Sequence, residues 1–121
     1  MNLKYLLSLL VLTALMVACG DDEEEMPTQV TCDTEDVTYT NTISTIVDLN
    51  CATAPCHSDI TNAGGFSMMD YDKTSAATLF DNFLPAIRHE DGAVPMPQSA
   101  DMLPECEIAQ IEAWIEAGVP E

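Results

Sequence analysis

Cys51-Ala52-Thr53-Ala54-Pro55-Cys56-His57 is the run that decides how this chain is read. Two cysteines with four residues between them, closed by a histidine on the very next position, gather three ligand-forming groups into one short segment. Pro55 cannot continue a helix and pushes Ala54 out of the helical region, so a helix arriving from the N-terminal side must end before Cys56. Such a helix is signalled. Ile43, Ile46 and Val47 recur at helical spacing behind Asn41 or Thr42 as N-cap, and no strand pattern precedes them beyond the brief Val37-Thr38-Tyr39-Thr40. The expectation is a first helix that delivers the chain into a turn carrying the cysteines and the histidine.

Downstream, Ser58 to Tyr71 contains Asn62-Ala63-Gly64-Gly65 and reads as an irregular loop. Ala76, Leu79, Phe80, Phe83, Leu84 and Ile87 then follow at steps of three and four, with Asp72 or Thr74 as starter. Pro85 interrupts this stripe, which predicts two short helices or one kinked helix broken near Asn82. Val94-Pro95-Met96-Pro97 sets a methionine between two prolines in a stiff extended loop. The last element is the clearest. Pro104 stands at a first helical position, Ile108, Ile111, Trp114 and Ile115 share one stripe, and Gly118 terminates it. The chain is therefore expected to be all-α, short helices joined by long irregular loops.

Composition narrows the setting. The 121 residues leave room for one domain, and part of them reads as targeting sequence. Lys4, the apolar stretch Leu6 to Val17 and the small residues before Cys19 predict a signal peptide over 1–18, too short for a comfortable membrane span. Cys19 in that context resembles the lipobox cysteine of bacterial lipoproteins, which implies cleavage before it and acylation sufficient for stable anchoring in a lipid bilayer. Residues 19–31 then form a lipidated cysteine and acidic tether, and 32–121 the domain. The cluster Asp21 to Glu25 resembles the surface-export signal of Bacteroidetes-type lipoproteins, although a plain spacer has the same composition. The chain carries 21 acidic side chains against three basic ones, a formal charge of −18. Such a field excludes nucleic acid and anionic lipid headgroups as natural partners; it favours basic proteins, and it also keeps an exported domain soluble. With Cys19 acylated, Cys32, Cys51, Cys56 and Cys106 remain. In an oxidising compartment they are expected to be consumed in pairs, either as two disulfides or with Cys51 and Cys56 given to a cofactor and Cys32 bridged to Cys106.

Paired cysteines followed at once by histidine form the core of a c-type haem attachment site, where the thiols become thioethers and the imidazole binds iron. The usual spacing between the cysteines is two residues. Over Val37 to Glu121 the order of helix, Cys-Cys-His, loop, helices, Met-Pro loop and terminal aromatic-bearing helix resembles a class I cytochrome c domain of the small single-haem lipoprotein type. That resemblance implies a small bundle around one covalent haem c, with Cys51 and Cys56 at the thioether positions, His57 as proximal ligand and Met96 as distal ligand. It also leaves Cys32 and Cys106 as the natural disulfide, fastening the start of the domain to its last helix.

Met68, Met69 and Met102 compete with Met96, and His89 is an alternative distal ligand or a loop histidine beside Arg88. Trp114, on the isoleucine stripe, is expected in the core. The modest number of aromatics makes a cofactor a useful contribution to a core of this size. No nucleophile with an oriented base, phosphate-cradling loop or zinc-type cluster is apparent, so an enzyme is not expected. The sequence points to single-electron transfer by an exported, lipid-anchored monohaem cytochrome of the cell envelope, at the periplasmic side of the outer membrane or the cell surface, serving a redox partner with a basic docking face. A haem-free, disulfide-stapled interaction module and a haem sensor or weak peroxidase are the alternatives.

Overall fold

The structure, a computed structural model, describes residues 31–121. The expected signal peptide, Cys19 and most of the expected acidic tether lie outside the described residues. Those described are all-α, with no strand among them.

The first helix begins earlier than Asn41 or Thr42. α1, Tyr39–Ile43, is wound as a π-helical turn and runs straight into α2, Ser44–Asn50. Thr38 caps it: its hydroxyl accepts from the Asn41 N–H at 3.2 Å while the Asn41 side chain accepts from the Thr38 N–H at 2.8 Å, a reciprocal capping box. The residue expected to start the helix is thus the cap's partner three positions in. The N–H groups of Tyr39 and Thr40, which a helix start leaves without internal acceptors, donate to the Pro120 and Glu121 carbonyls at 2.9 and 3.0 Å.

The middle stripe forms two short helices. α3, Tyr71–Ala77, starts from Asp70, whose carboxylate accepts from the Lys73 N–H; Asp72 and Thr74 sit inside it. α4 spans Phe83–Ile87. Pro85 does not break a helix here. It occupies the first turn of α4, where a missing N–H costs nothing. Because α3 stops at Ala77, Leu79 lies in the connecting turn and is 82% exposed instead of continuing a buried stripe.

α5, Glu105–Glu116, follows the sequence pattern closely, with Pro104 as its N-cap. Ile108, Ile111 and Trp114 are buried. Gly118 takes φ +84°, its N–H donating to Ile115 and that of Val119 to Trp114, the paired bonds of a glycine-terminated helix end. Trp114 is fully buried; its Nε1–H donates to the Pro120 carbonyl at 2.8 Å, and its ring lies against Tyr39 of α1, 6.3 Å between centroids. Tyr71 of α3 meets Tyr39 edge-on and donates its hydroxyl to Val119. The first and last helices therefore share one core with α3. Arg88, just past α4, reaches Glu112 on α5 at 2.7 Å. Cys32 and Cys106 are disulfide-bonded, with Cα atoms 5.3 Å apart, which secures the segment before α1 to the first turn of α5.

Candidate functional site

α2 ends on Cys51, whose N–H donates to the Val47 carbonyl at 2.8 Å. The chain then turns back on itself. The Cys56 N–H donates to Thr53 and the His57 N–H to Cys51 at 2.9 Å, so the four intervening residues are wound into a compact turn that returns His57 beside the end of α2. Cys51 and Cys56 are both free and partly buried. Burial pushes the Cys51 thiol up to about 11, with the neighbouring Cys56 and the Glu107 carboxylate adding to the effect. A thiol in that state is neutral at physiological pH and is neither a thiolate nucleophile nor a thiolate metal ligand.

His57 is buried. Its Nδ1 lies 3.4 Å from the Phe66 carbonyl, and its ring stacks on the Phe66 ring at 4.1 Å and 21°. A carbonyl only accepts, so the contact assigns the hydrogen to Nδ1 and leaves the lone pair on Nε2. The loop that supplies Phe66 is closed by the Met68 N–H donating to the His57 carbonyl at 2.8 Å. It passes through Gly64 at φ +71°, where a Cβ would sit 3.3 Å from the Phe66 ring and 3.9 Å from the His57 ring. Glycine there permits both the turn and the close approach.

Met96 comes from the other side of the molecule in sequence. Its N–H donates to the Ala86 carbonyl of α4 at 3.0 Å, which anchors the Pro95-Met96-Pro97 segment to that helix. Cys51, Cys56, His57 and Met96 line one cavity of about 460 Å³, within the range of small-molecule and cofactor pockets. The rest of its wall is largely apolar, including Met68, Phe83, Ile87 and Leu103. Two free thiols, an imidazole with an available nitrogen and a thioether sulfur thus border a single apolar space.

The other sequence candidates separate. Met69 and Met102 are 46% and 43% exposed and do not line the cavity. Met68 lines it, buried in the core on the His57 loop. His89 is outside the lining and its Nε2 is engaged with the Met96 carbonyl at 3.1 Å. Arg88 is committed to Glu112 and Glu90. Of the two cysteine arrangements, the structure has Cys32 bridged to Cys106 with Cys51 and Cys56 unbridged. Sequence reading missed Phe66 and Gly64, which sit in a loop without periodicity. Only the Gly64-Gly65 pair hinted at a special backbone there.

Among the described residues no three His, Cys, Asp or Glu side chains are grouped to hold a metal by themselves, and no helix is long and apolar enough to cross a membrane. No protein-family model, curated protein or solved structure matches the chain.

Proposed function

We propose that the domain holds one haem c covalently and carries single electrons. The observation that supports this most is the shared cavity: Met96 lies 39 positions beyond His57 in the sequence, yet it lines the same apolar space as Cys51, Cys56 and His57. Cys51 and Cys56 would hold the group as thioethers, a role open to them as unbridged thiols, and His57 Nε2 and the Met96 sulfur would be its iron ligands. Haem supplies a one-electron iron couple. The chain supplies the rest. Phe66 orients the imidazole through its carbonyl and its ring, the apolar wall limits water, and a soft neutral sulfur favours the ferrous state and raises the potential.

With Met96 as a second iron ligand, the carrier would work by outer-sphere transfer rather than by binding a small substrate. The formal charge of −18 steers it to a basic docking face on a redox partner, with association slowing as ionic strength rises. Acylation of Cys19 in the cell envelope would keep the carrier close to a membrane-bound donor or acceptor.

The test is expression of the full chain with export in a host that matures c-type cytochromes, followed by denaturation. Haem should stay on the polypeptide, and replacing both Cys51 and Cys56 with alanine should abolish its retention. A colourless wild-type product would overturn the proposal. Met96→Ala should keep the covalent haem but lose the low-spin methionine-ligated spectrum, and an unchanged spectrum would remove Met96 from the ligand set.

A further inference from the structure

The segment that presents Met96 has few ways of being held. Of Pro95, Met96 and Pro97, only Met96 has an N–H, and that group is spent on the Ala86 carbonyl at 3.0 Å. The same carbonyl also accepts from the His89 N–H at 3.2 Å, so Met96 and His89 meet at the end of α4. The Met96 carbonyl in turn lies 3.1 Å from His89 Nε2. Since a carbonyl only accepts, Nε2 must carry the hydrogen and donate.

The backbone of His89 makes this contact more than incidental. α4 ends at Ile87 with Arg88 as its C-cap, so His89 occupies the position just beyond, where helices commonly place a glycine in the left-handed region. His89 adopts φ +51° there. A residue with a Cβ rarely takes that conformation, and glycine or asparagine would do so with less strain. What histidine adds is a ring that reaches seven residues along the chain and closes the loop from His89 to Met96 on itself.

We infer that His89 is the positioning residue for Met96, fixing the peptide from which the sulfur reaches the cavity. The inference rests on the haem reading in giving Met96 a ligand's role. The brace itself is a property of the polypeptide. His89→Ala removes the donor, and His89→Gln keeps an amide N–H of comparable reach. In the purified full chain, with or without haem, hydrogen exchange at the Met96 amide should become about fivefold faster in His89→Ala, the change expected for loss of one ordinary hydrogen bond from a local opening equilibrium. In the haem-loaded protein the far-red sulfur-to-iron charge-transfer band should weaken and the reduction potential should fall in the same variant. His89→Gln should restore all three. Unchanged Met96 exchange in His89→Ala, or losses that His89→Gln leaves unrepaired, would overturn the inference. A wild-type chain without covalent haem would defeat the electron-carrier proposal instead, while the exchange measurement would still report whether His89 holds the loop.

Discussion

Cys51 couples the chemistry of the cavity to the stability of the haem-free chain. Its thiol ionises near 9.0 when free in water and is pushed up to about 11 in the fold, chiefly by burial. Below pH 9 both states are neutral and the fold bears no penalty. Between 9 and 11 the unfolded chain loses this proton while the folded chain keeps it, so stability falls with rising pH across that window, by about 2 kcal/mol. Urea unfolding of haem-free protein at pH 8 and pH 11 measures the loss. Cys51→Ala, which has nothing to ionise, should show a correspondingly smaller fall, and the difference between the two proteins isolates this thiol from Lys73, whose acid–base transition lies at about 12. A thioether does not titrate, so covalent haem should also remove the Cys51 contribution. An alkaline loss as large in Cys51→Ala as in the wild type would mean that the buried thiol is not its source.

How much of each helix could be read depended on how many independent signals marked its ends. α5 had a proline at its start, three buried positions on one stripe and a glycine in the left-handed region after its end, and all of them agreed. For α1 the sequence pointed to Asn41 or Thr42 as the cap; the π-helical start at Tyr39 and the reciprocal bonds between Thr38 and Asn41 put the cap at Thr38 instead. Thr38→Ala should therefore cost about 1 kcal/mol, while Thr42→Ala should fall well below that, a contrast read from urea midpoints. Pro85 was legible as an interruption, but its harmless place in the first turn of α4 depends on where α3 stops. For the site, Cys51, Cys56, His57 and Met96 carried chemical signatures of their own. Phe66 carried none and His89 was legible only as an alternative ligand or a loop histidine, because their roles come from loop paths that bring a carbonyl or a ring to a residue seven to nine positions away. Trp114 is the test of the helix packing as a whole. Trp114→Ala empties a fully buried site shared with Tyr39 and leaves the Pro120 carbonyl without its indole donor, which should cost about 3–5 kcal/mol.

The domain must hold together against both its small size and its charge. The chain as a whole carries 21 acidic side chains against three basic ones, and the ion pairs of Lys73 and Arg88 are solvent-exposed, so they contribute little against the repulsion. The Cys32–Cys106 bridge acts differently, by restricting the unfolded chain. It spans a sequence separation of 74, for which the chain-entropy account gives roughly 4 kcal/mol. Small domains have total stabilities of about 5–15 kcal/mol, so that bridge is a large share of what keeps this one folded. Replacing both cysteines with serine should lower the urea midpoint by a corresponding amount and raise the m-value, because an unfolded chain free of the bridge expands and exposes more surface. Added salt should recover part of the loss in wild type and variant alike, since it screens the acidic surface without replacing the bridge. An unfolding free energy that falls by less than about 1 kcal/mol, with m unchanged, would mean that the denatured chain already keeps residues 32 and 106 close together, and the bridge would then be a consequence of the helical packing rather than one of its supports.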